Sequence, residues 1–211
     1  MLNPNKMWGS AEMSRGAESI YCRYIKRVLD IFLAAILIFF LLLPMLAISI
    51  AVIAESSGGA IFKQKRRGRG GKEFICYKFR TMYKYAPSNM PASSFSDHEK
   101  YVTRVGRFLR ESSLDELPQL FNVLRGDMSI VGPRPLICAE EKMHEGRLRQ
   151  GVYSIRPGIT GLAQISGRNS LCDEEKLTQD SIYLFGVGLR LDAKILFSTL
   201  KKVITHEGVG H

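Results

Sequence analysis

Two adjacent carboxylates, Asp115 and Glu116, stand just before Pro118 in the 211-residue chain. A proline fits best in the first turn of a helix, where its missing N–H costs little, so we predict that a helix starts between Asp115 and Leu117. An aspartate there can cap the free N–H groups, and the same groups would keep it ionised as a nucleophile toward phosphorus. The adjoining glutamate has the chemistry to hold a metal ion or to move a proton. On spacing alone, capping is the favoured interpretation of Asp115.

Basic, turn-rich segments farther along the chain supply the positive charge that phosphoryl chemistry requires. Arg134 lies between Pro133 and Pro135, so it has little backbone freedom to lose on binding an anion, although an ordinary loop arginine is equally compatible with the pattern. Arg156 and Arg168 lie in a second stretch, whose glycines would let the backbone approach a phosphate. This stretch is neither a Walker motif nor G-x-G-x-x-G, and by itself it is a weak indication.

Several other chemistries find no support in the sequence. The four cysteines are scattered without a C-x-x-C pair, which disfavours a zinc site and a disulfide framework. The four histidines lie in polar, turn-rich or terminal stretches and are interpreted as surface residues, so no Ser-His-Asp or Cys-His nucleophile is predicted. The net charge of +10 indicates an anionic partner. Because the basic clusters lack interleaved aromatic residues, we expect no nucleic acid among the partners.

The carboxylates must be positioned by a chain that carries an apolar block near its N-terminus. Ile31 to Ala54 carry no formal charge, and this length exceeds the roughly 20 residues needed to cross a bilayer. Lysines and arginines flank both ends, and positive charge prefers the cytoplasmic side. Pro44 lies in the middle, where it kinks a helix. A re-entrant helix satisfies both observations, and a plain span with a tolerated proline is nearly as compatible with them.

The rest of the chain predicts a small α+β, mainly helical body. Ile61 to Met82 reads as two short strands around a glycine-rich turn. Val102 to Leu109 has helical apolar spacing, and the last helix has an apolar stripe opposite lysines that suits either packing or a membrane interface. The predicted organisation is a loosely ordered extension (1–22), a re-entrant membrane helix (23–58) and a cytosolic catalytic domain (59–211).

The run SSLDELPQLFNVLRGDMSIVGPRP at 112–135 resembles the signature of the bacterial sugar transferases, the monotopic phosphoglycosyl transferases. YKFRTM at 77–82, RPGITGLAQISGRN at 156–169 and LDAK at 191–194 occur in that family's order. The resemblance covers about residues 24 to 205 and is closest to the small members that start glycoconjugate assembly. One position departs from the pattern: similar proteins often have a serine before the membrane proline, where this chain has Leu43.

The resemblance implies a two-step reaction. Asp115 would attack the β-phosphate of a UDP-sugar, release UMP and hold the phosphosugar covalently. Polyprenyl phosphate, most often undecaprenyl phosphate, would then accept the phosphosugar. Glu116 would assist by binding Mg²⁺, together with Asp115, or by accepting the acceptor's proton.

The resemblance also assigns further residues and partners. Phosphate binding falls to Arg134, Arg110, Arg156 and Lys78, and supporting roles fall to Asp192, Arg168 and Gln119. Pro44 marks the membrane kink of a helix hairpin on the cytoplasmic face of the bacterial inner membrane. Apart from the resemblance, the positive net charge predicts a bilayer with anionic headgroups as a partner, and a homodimer is a further expectation. A membrane-bound UDP-sugar hydrolase and a non-catalytic membrane adaptor remain open as alternatives, and the sugar is not specified.

Overall fold

The computed structural model describes residues 18–87, 98–167 and 170–205. After a π-helical turn at Tyr21–Ile25, the helices are α1 (Lys26–Glu55), α2 (Arg104–Glu111), α3 (Gln119–Arg125), α4 (Glu141–Arg149), α5 (Leu162–Ser166), α6 (Asp173–Gly186) and α7 (Leu189–Thr205). The strands are β1 (Ile61–Arg67), β2 (Glu73–Phe79), β3 (Ser129–Val131), β4 (Leu136–Ile137) and β5 (Gly158–Thr160). The predicted class, α+β and mainly helical, is confirmed. Residues 1–17 of the expected N-terminal extension lie outside the described residues.

Two small sheets organise the polar body. The predicted hairpin is confirmed: β1 pairs antiparallel with β2, with Ile61 opposite Phe79, and β4 pairs with the other side of β1. β3 and β5 form a separate parallel pair. The hairpin turn needs its glycines, because Gly70 and Gly71 adopt φ values of 69° and 71°, in the left-handed region.

Two hydrophobic clusters form the core. The larger lies among α3, β3, α6 and α7, and its fully or nearly fully buried members include Val123, Val131, Leu184 and Ile195. The smaller lies among α1, β2 and α2 and contains Met45, Val52, Phe79 and Leu109. Both clusters take side chains from α1, so this helix is packed along the body and does not project from it as an isolated element.

Helix α1 is long and apolar enough to cross a membrane, and only 11% of its apolar segment is buried. Its backbone stays helical through Pro44, so the expected hairpin is not confirmed. One stripe of small and aliphatic residues, spaced three or four apart, packs on the two clusters: Ala34, Ile38, Leu41, Met45, Ile48 and Val52. The remaining surface is apolar and uncovered; Phe39, Phe40 and Leu43 are each more than 70% exposed.

Polar contacts fasten the first end of α1 to the body. The Lys26 ammonium lies 2.5 Å from Oδ2 of Asp192 in α7, and Asp30 accepts hydrogen bonds from the Ser129 hydroxyl and the Ile130 N–H at 3.1 and 3.0 Å. Lys26 and Asp30 lie one helical turn apart, yet their hydrogen-bonding partners come from segments far along the chain. Both side chains are buried, and buried charges require partners that the folded body brings to them.

The other end of α1 is fastened as well. The Glu55 carboxylate accepts from the N–H groups of Arg104 and Val105 at 2.7 and 3.0 Å, the first turn of α2. The Arg80 guanidinium donates to the carbonyls of Ser56 and Ser57 at 2.8 and 2.5 Å, which satisfies acceptors left open at a helix C-terminus. Both ends of α1 thus contact the same body.

The histidine interpretation needs one correction. His144 is 3% exposed and contacts the Tyr153 hydroxyl through Nδ1 and the Ile137 carbonyl through Nε2, so its interpretation as a surface residue is wrong. The polar sequence around it hid this burial, because its two partners lie 7 and 9 residues away, outside the helix that carries it. His206 and His211 lie outside the described residues.

Candidate active site

Asp115 and Glu116 lie in a 3-10 turn, Leu114–Glu116, between α2 and α3. The flanking Leu114 and Leu117 pack on the smaller hydrophobic cluster and anchor the turn at both ends. Ser113 enters it with φ 57°, in the left-handed region. A serine in that conformation is held there by its surroundings, and such backbone strain is frequent at functional sites.

Helix α3 starts later than its sequence predicts. It begins at Gln119, with Pro118 at the N-cap position, and no side chain caps it. The interpretation of Asp115 as a helix cap is therefore wrong. The carboxylates face cationic side chains from other elements, which compete successfully with the helix N–H groups because they carry full charges.

Three cations converge on the carboxylate pair. The Lys78 ammonium, on β2, lies 2.6 Å from Oε1 of Glu116 and 3.6 Å from Oδ2 of Asp115. The Arg134 guanidinium approaches the same Glu116 oxygen at 3.2 Å. Arg110, on α2, donates from Nε to the Thr81 hydroxyl at 3.0 Å, and its charge acts on Asp115. Five of the six residues predicted as carboxylates or phosphate ligands therefore share one site, and the exception is Arg156.

The two carboxylates differ electrostatically. Burial raises the pKa of Glu116, but the charges and hydrogen bonds of Lys78 and Arg134 outweigh it and lower that pKa to about 2. The pKa of Asp115 is raised, first by burial and then by the neighbouring Glu116 charge, against the opposing influence of Lys78 and Arg134. The charged form of Glu116 is therefore strongly stabilised by Lys78 and Arg134, whereas the charged form of Asp115 is stabilised less.

Hydrogen bonds to its three carbonyls fix the loop that carries Arg134. The Pro133 carbonyl accepts from the Gly158 N–H at 2.9 Å, the Arg134 carbonyl from Arg147 at 2.7 Å, and the Pro135 carbonyl from Arg66 at 2.5 Å. Every carbonyl of this Pro-Arg-Pro segment therefore has a donor from another element. The prolines have no N–H, so Arg134 carries the single backbone donor of the segment.

Two residues that the sequence did not single out position the site. Arg147 uses Nε and Nη2 to bind Oδ2 of Asp180, at 2.9 and 2.7 Å, and both side chains are buried. Asn122, fully buried in α3, accepts from the Tyr77 N–H at 3.0 Å and donates to the Ile75 carbonyl at 2.7 Å, which fixes α3 to β2. These pairs are 33 to 47 residues apart, a separation that leaves no periodic signal in the sequence.

The structure places the other predicted site residues elsewhere. Asp192 is buried among Tyr21, Lys26 and Tyr183, to which it is hydrogen-bonded. Arg156 donates from Nε to the Gly126 carbonyl at 2.9 Å, at the far end of α3.

Gln119 is buried in the first turn of α3, directly after the carboxylate turn. Arg168 lies outside the described residues.

The two carboxylates fit a divalent metal ion that is coordinated jointly by the protein and the substrate. Within the described ranges, no group of three His, Cys, Asp or Glu side chains is placed to hold a metal ion. Mg²⁺ is commonly held by one or two carboxylates together with substrate phosphates, and Asp115 with Glu116 supplies two.

The sequence matches one protein-family model and several curated proteins. The family model described as bacterial sugar transferase matches residues 21–206. A UDP-galactose-lipid carrier transferase of Erwinia amylovora is 38% identical over 200 residues, which cover 88% of this chain and 42% of that protein. A UDP-glucose:undecaprenyl-phosphate glucose-1-phosphate transferase of Caulobacter vibrioides is 40% identical over 189 residues, with 85% and 70% covered.

A third relative is of similar size to this chain. An uncharacterized sugar transferase of Bacillus subtilis is 41% identical over 187 residues, which cover 88% of this chain and 90% of that protein. By contrast, the chain spans about two fifths of the length of several curated relatives it matches, the Erwinia protein among them.

Proposed function

The chain belongs to the bacterial sugar transferase family, and from that premise we propose that it transfers a phosphosugar from a UDP-sugar to polyprenyl phosphate. The products are UMP and a polyprenyl diphosphate sugar, and undecaprenyl phosphate is the proposed acceptor because relatives are named for it. The observation that carries the proposal is the convergence of Lys78, Arg134 and Arg110 on the two carboxylates. That cluster can neutralise a diphosphate while presenting a carboxylate to it.

In the first proposed step, Asp115 is the nucleophile. One of its carboxylate oxygens forms a bond to the β-phosphorus, and the bond from that phosphorus to the bridging oxygen of UMP breaks, so UMP leaves with the electron pair. Asp115 suits this role because Lys78 stands 3.6 Å from it, against 2.6 Å from Glu116. An aspartate that is less tightly paired keeps an oxygen available for attack.

In the second step, an oxygen of the polyprenyl phosphate attacks the same phosphorus and the Asp115–phosphorus bond breaks, which regenerates the carboxylate. The cations stabilise the negative charge that is spread over the phosphoryl oxygens in both steps. Glu116, with a pKa of about 2, is a poor proton acceptor near neutral pH. We therefore assign it to holding cations and not to removing a proton.

Mg²⁺ completes the proposed site. Asp115 and Glu116 would share the ion with the diphosphate of the substrate, in the mixed protein and substrate coordination that Mg²⁺ favours. When bound, it would withdraw charge from the phosphoryl oxygens and assist departure of UMP.

The same proposal includes a re-entrant placement of α1 on the cytoplasmic face of the bacterial inner membrane. Its support is that Lys26 and Asp30 at one end, and Glu55 at the other, contact one body, whereas the ends of a straight span lie some 30 Å apart across the hydrocarbon core. The uncovered Phe39, Phe40 and Leu43 would enter the bilayer. Helix α7, with Phe197 74% exposed, would lie in the interface.

Two experiments test these proposals. UMP release is measured over a panel of UDP-sugars with Mg²⁺, with and without undecaprenyl phosphate. We expect sustained release of UMP only with the acceptor; equal turnover without it would indicate a hydrolase instead.

For topology, cysteines placed singly at Lys63 and Ser19 in a cysteine-free chain are labelled from each side of sealed inner-membrane vesicles. Labelling of the two positions from opposite sides would exclude re-entry.

A further inference from the structure

A second cluster of positive charge lies apart from the carboxylate site. It surrounds a cleft between the start of α1, the β1–β2 turn and the segment before β5, which we term the N-terminal cleft. Its lining includes four cationic side chains and one carboxylate, namely Arg23, Lys26, Arg69, Arg156 and Asp30. The cleft is shallow and open to solvent, so a phosphate bound there would lie at its mouth with its substituent outside.

The positive charge of this cleft is not balanced from within. Lys26 is paired with Asp192, and Asp30 is already engaged by Ser129 and Ile130. In the described part of the chain, no carboxylate lies within ion-pair distance of Arg23, Arg69 or Arg156. Positive charge that exceeds the negative charge beside it attracts an anion.

Arg156 is held in a position that serves an anion. Its Nε is fixed on the Gly126 carbonyl at 2.9 Å, while no hydrogen bond is recorded for its two terminal nitrogens within the described residues. Burial lowers its pKa, and the nearby charges of Arg27 and Arg69 lower it further. A bound phosphate would relieve that repulsion and could accept both terminal N–H groups at once.

The N-terminal cleft is separate from the active site. Arg27 donates to the carbonyls of Val123 and Leu124 at 2.6 and 3.0 Å, and Arg156 binds Gly126, so this cluster closes the C-terminal end of α3. The carboxylate turn precedes the N-terminal end of the same helix. Seven helical residues span about 10 Å, so a phosphate bound in the cleft is not the one that reacts at Asp115.

The apolar surroundings indicate that the phosphate belongs to an amphiphile. Ile20, Tyr24 and Val28 form an exposed stripe along the first helical turns that borders Arg23 and faces away from Lys26 and Asp30, and they are 73%, 59% and 66% exposed. Val187 lines the cleft, and Leu189 two positions later is 61% exposed. A soluble anion would gain nothing from these side chains, whereas the acyl chains of a lipid would cover them.

We propose that the N-terminal cleft binds the phosphate of an anionic phospholipid headgroup, so that it forms a lipid site distinct from the substrate site. The proposal rests on the membrane placement of α1 described above. It also assigns a role to the arginines of the N-terminal cleft, which have no part in the proposed transfer reaction.

Lipid retention by the purified full-length chain tests the proposal. The chain is equilibrated in mild detergent with equal amounts of phosphatidylglycerol and phosphatidylcholine, and bound lipid is counted by native mass spectrometry without UDP-sugar. We expect phosphatidylglycerol to be preferred, and Arg69→Ala and Arg156→Gln each to reduce its retention about tenfold. Arg156→Lys should retain an intermediate amount. The matched control Lys142→Ala, which removes an exposed charge on α4, should leave retention unchanged.

Three outcomes overturn the lipid site. These are equal retention of both lipids, retention by Arg69→Ala equal to that of the unmodified chain, or displacement of phosphatidylglycerol by inorganic phosphate at equal concentration, which would indicate a free anion. Arg69 is exposed and its replacement should not disturb folding, which the unfolding temperature checks.

UMP release is measured separately. If Arg69→Ala no longer retains phosphatidylglycerol but still releases UMP, the lipid site is separate from the substrate site. Absence of transfer in the unmodified chain with the lipid preference intact would contradict only the proposed function.

Discussion

The Lys78 ammonium lies 2.6 Å from Oε1 of Glu116, closer than it lies to Asp115. Glu116 is therefore the more tightly paired of the two neighbouring carboxylates, which fits the proposed role of Asp115 as the nucleophile. A lysine on β2 and a glutamate in the 3-10 turn before α3 meet because Asn122 ties that helix to the strand.

Replacement of Asp115 by Asn should abolish transfer, because an amide is not a competent nucleophile toward phosphorus. We expect UMP release to fall by at least about 10³-fold, with an unchanged unfolding temperature. Incubation of the unmodified chain with a UDP-sugar labelled at the β-phosphate should leave label on Asp115, identified by peptide mass spectrometry. Asp173→Asn, at an exposed carboxylate, is the matched control. Full activity of Asp115→Asn would remove the proposed nucleophile.

Replacement of Lys78 by Gln should move the acidic limb of the pH–rate profile to higher pH. The Lys78 charge lowers the pKa of both Asp115 and Glu116, so its loss raises both. Fewer Asp115 carboxylates are then ionised at a given acidic pH, and transfer should decline at a higher pH than in the unmodified chain. The measurement is kcat/KM for UMP release across the acidic to neutral range, with the exposed Lys72→Gln as control. A limb that stays in place would mean that Asp115 does not control it.

The buried pair of Arg147 and Asp180 should be required for stability and for the position of Arg134. Arg147→Met alone leaves Asp180 buried without a partner and should cost about 3–5 kcal/mol of unfolding free energy. The double variant Arg147→Met, Asp180→Leu should recover most of that loss, because it removes both charges.

The same double variant separates stability from positioning. It still lacks the donor to the Arg134 carbonyl, so KM for the UDP-sugar should rise several-fold. The exposed Arg149→Met is the control for both measurements. A double variant with unchanged KM would show that the Pro-Arg-Pro segment needs no support from Arg147.

Gly106 marks a close approach between α2 and the chain after β2. A Cβ at this position would lie 2.0 Å from the Thr81 carbonyl oxygen, so Gly106→Ala must push the two segments apart. We expect a loss of about 1–3 kcal/mol in unfolding free energy. Transfer should fall as well, since Arg110 on the same helix donates to Thr81. Gly59→Ala, whose Cβ would have no atom within 4 Å, should change neither quantity.

The predictions that the structure confirmed rest on local patterns. The β1–β2 hairpin followed from a glycine-rich turn between strand-like segments, and α2 followed from the helical spacing of Val105 and Leu109. The start of α3 was displaced by a few residues, because Pro118 is also accommodated at the N-cap position. His144 was misassigned since nothing in its own neighbourhood shows that Tyr153 and the Ile137 carbonyl cover it.

The sequence by itself determined the family, the apolar helix and the carboxylate pair, because each is expressed in contiguous residues or in a regular period. Only the tertiary structure decided which cations serve that pair. It brought Lys78, Arg110 and Arg134 to Asp115 and Glu116, and it placed Arg156 and Asp192 with other partners. The physical reason is that charge–charge interactions depend on distance in space and on burial, and neither quantity is a function of separation along the chain.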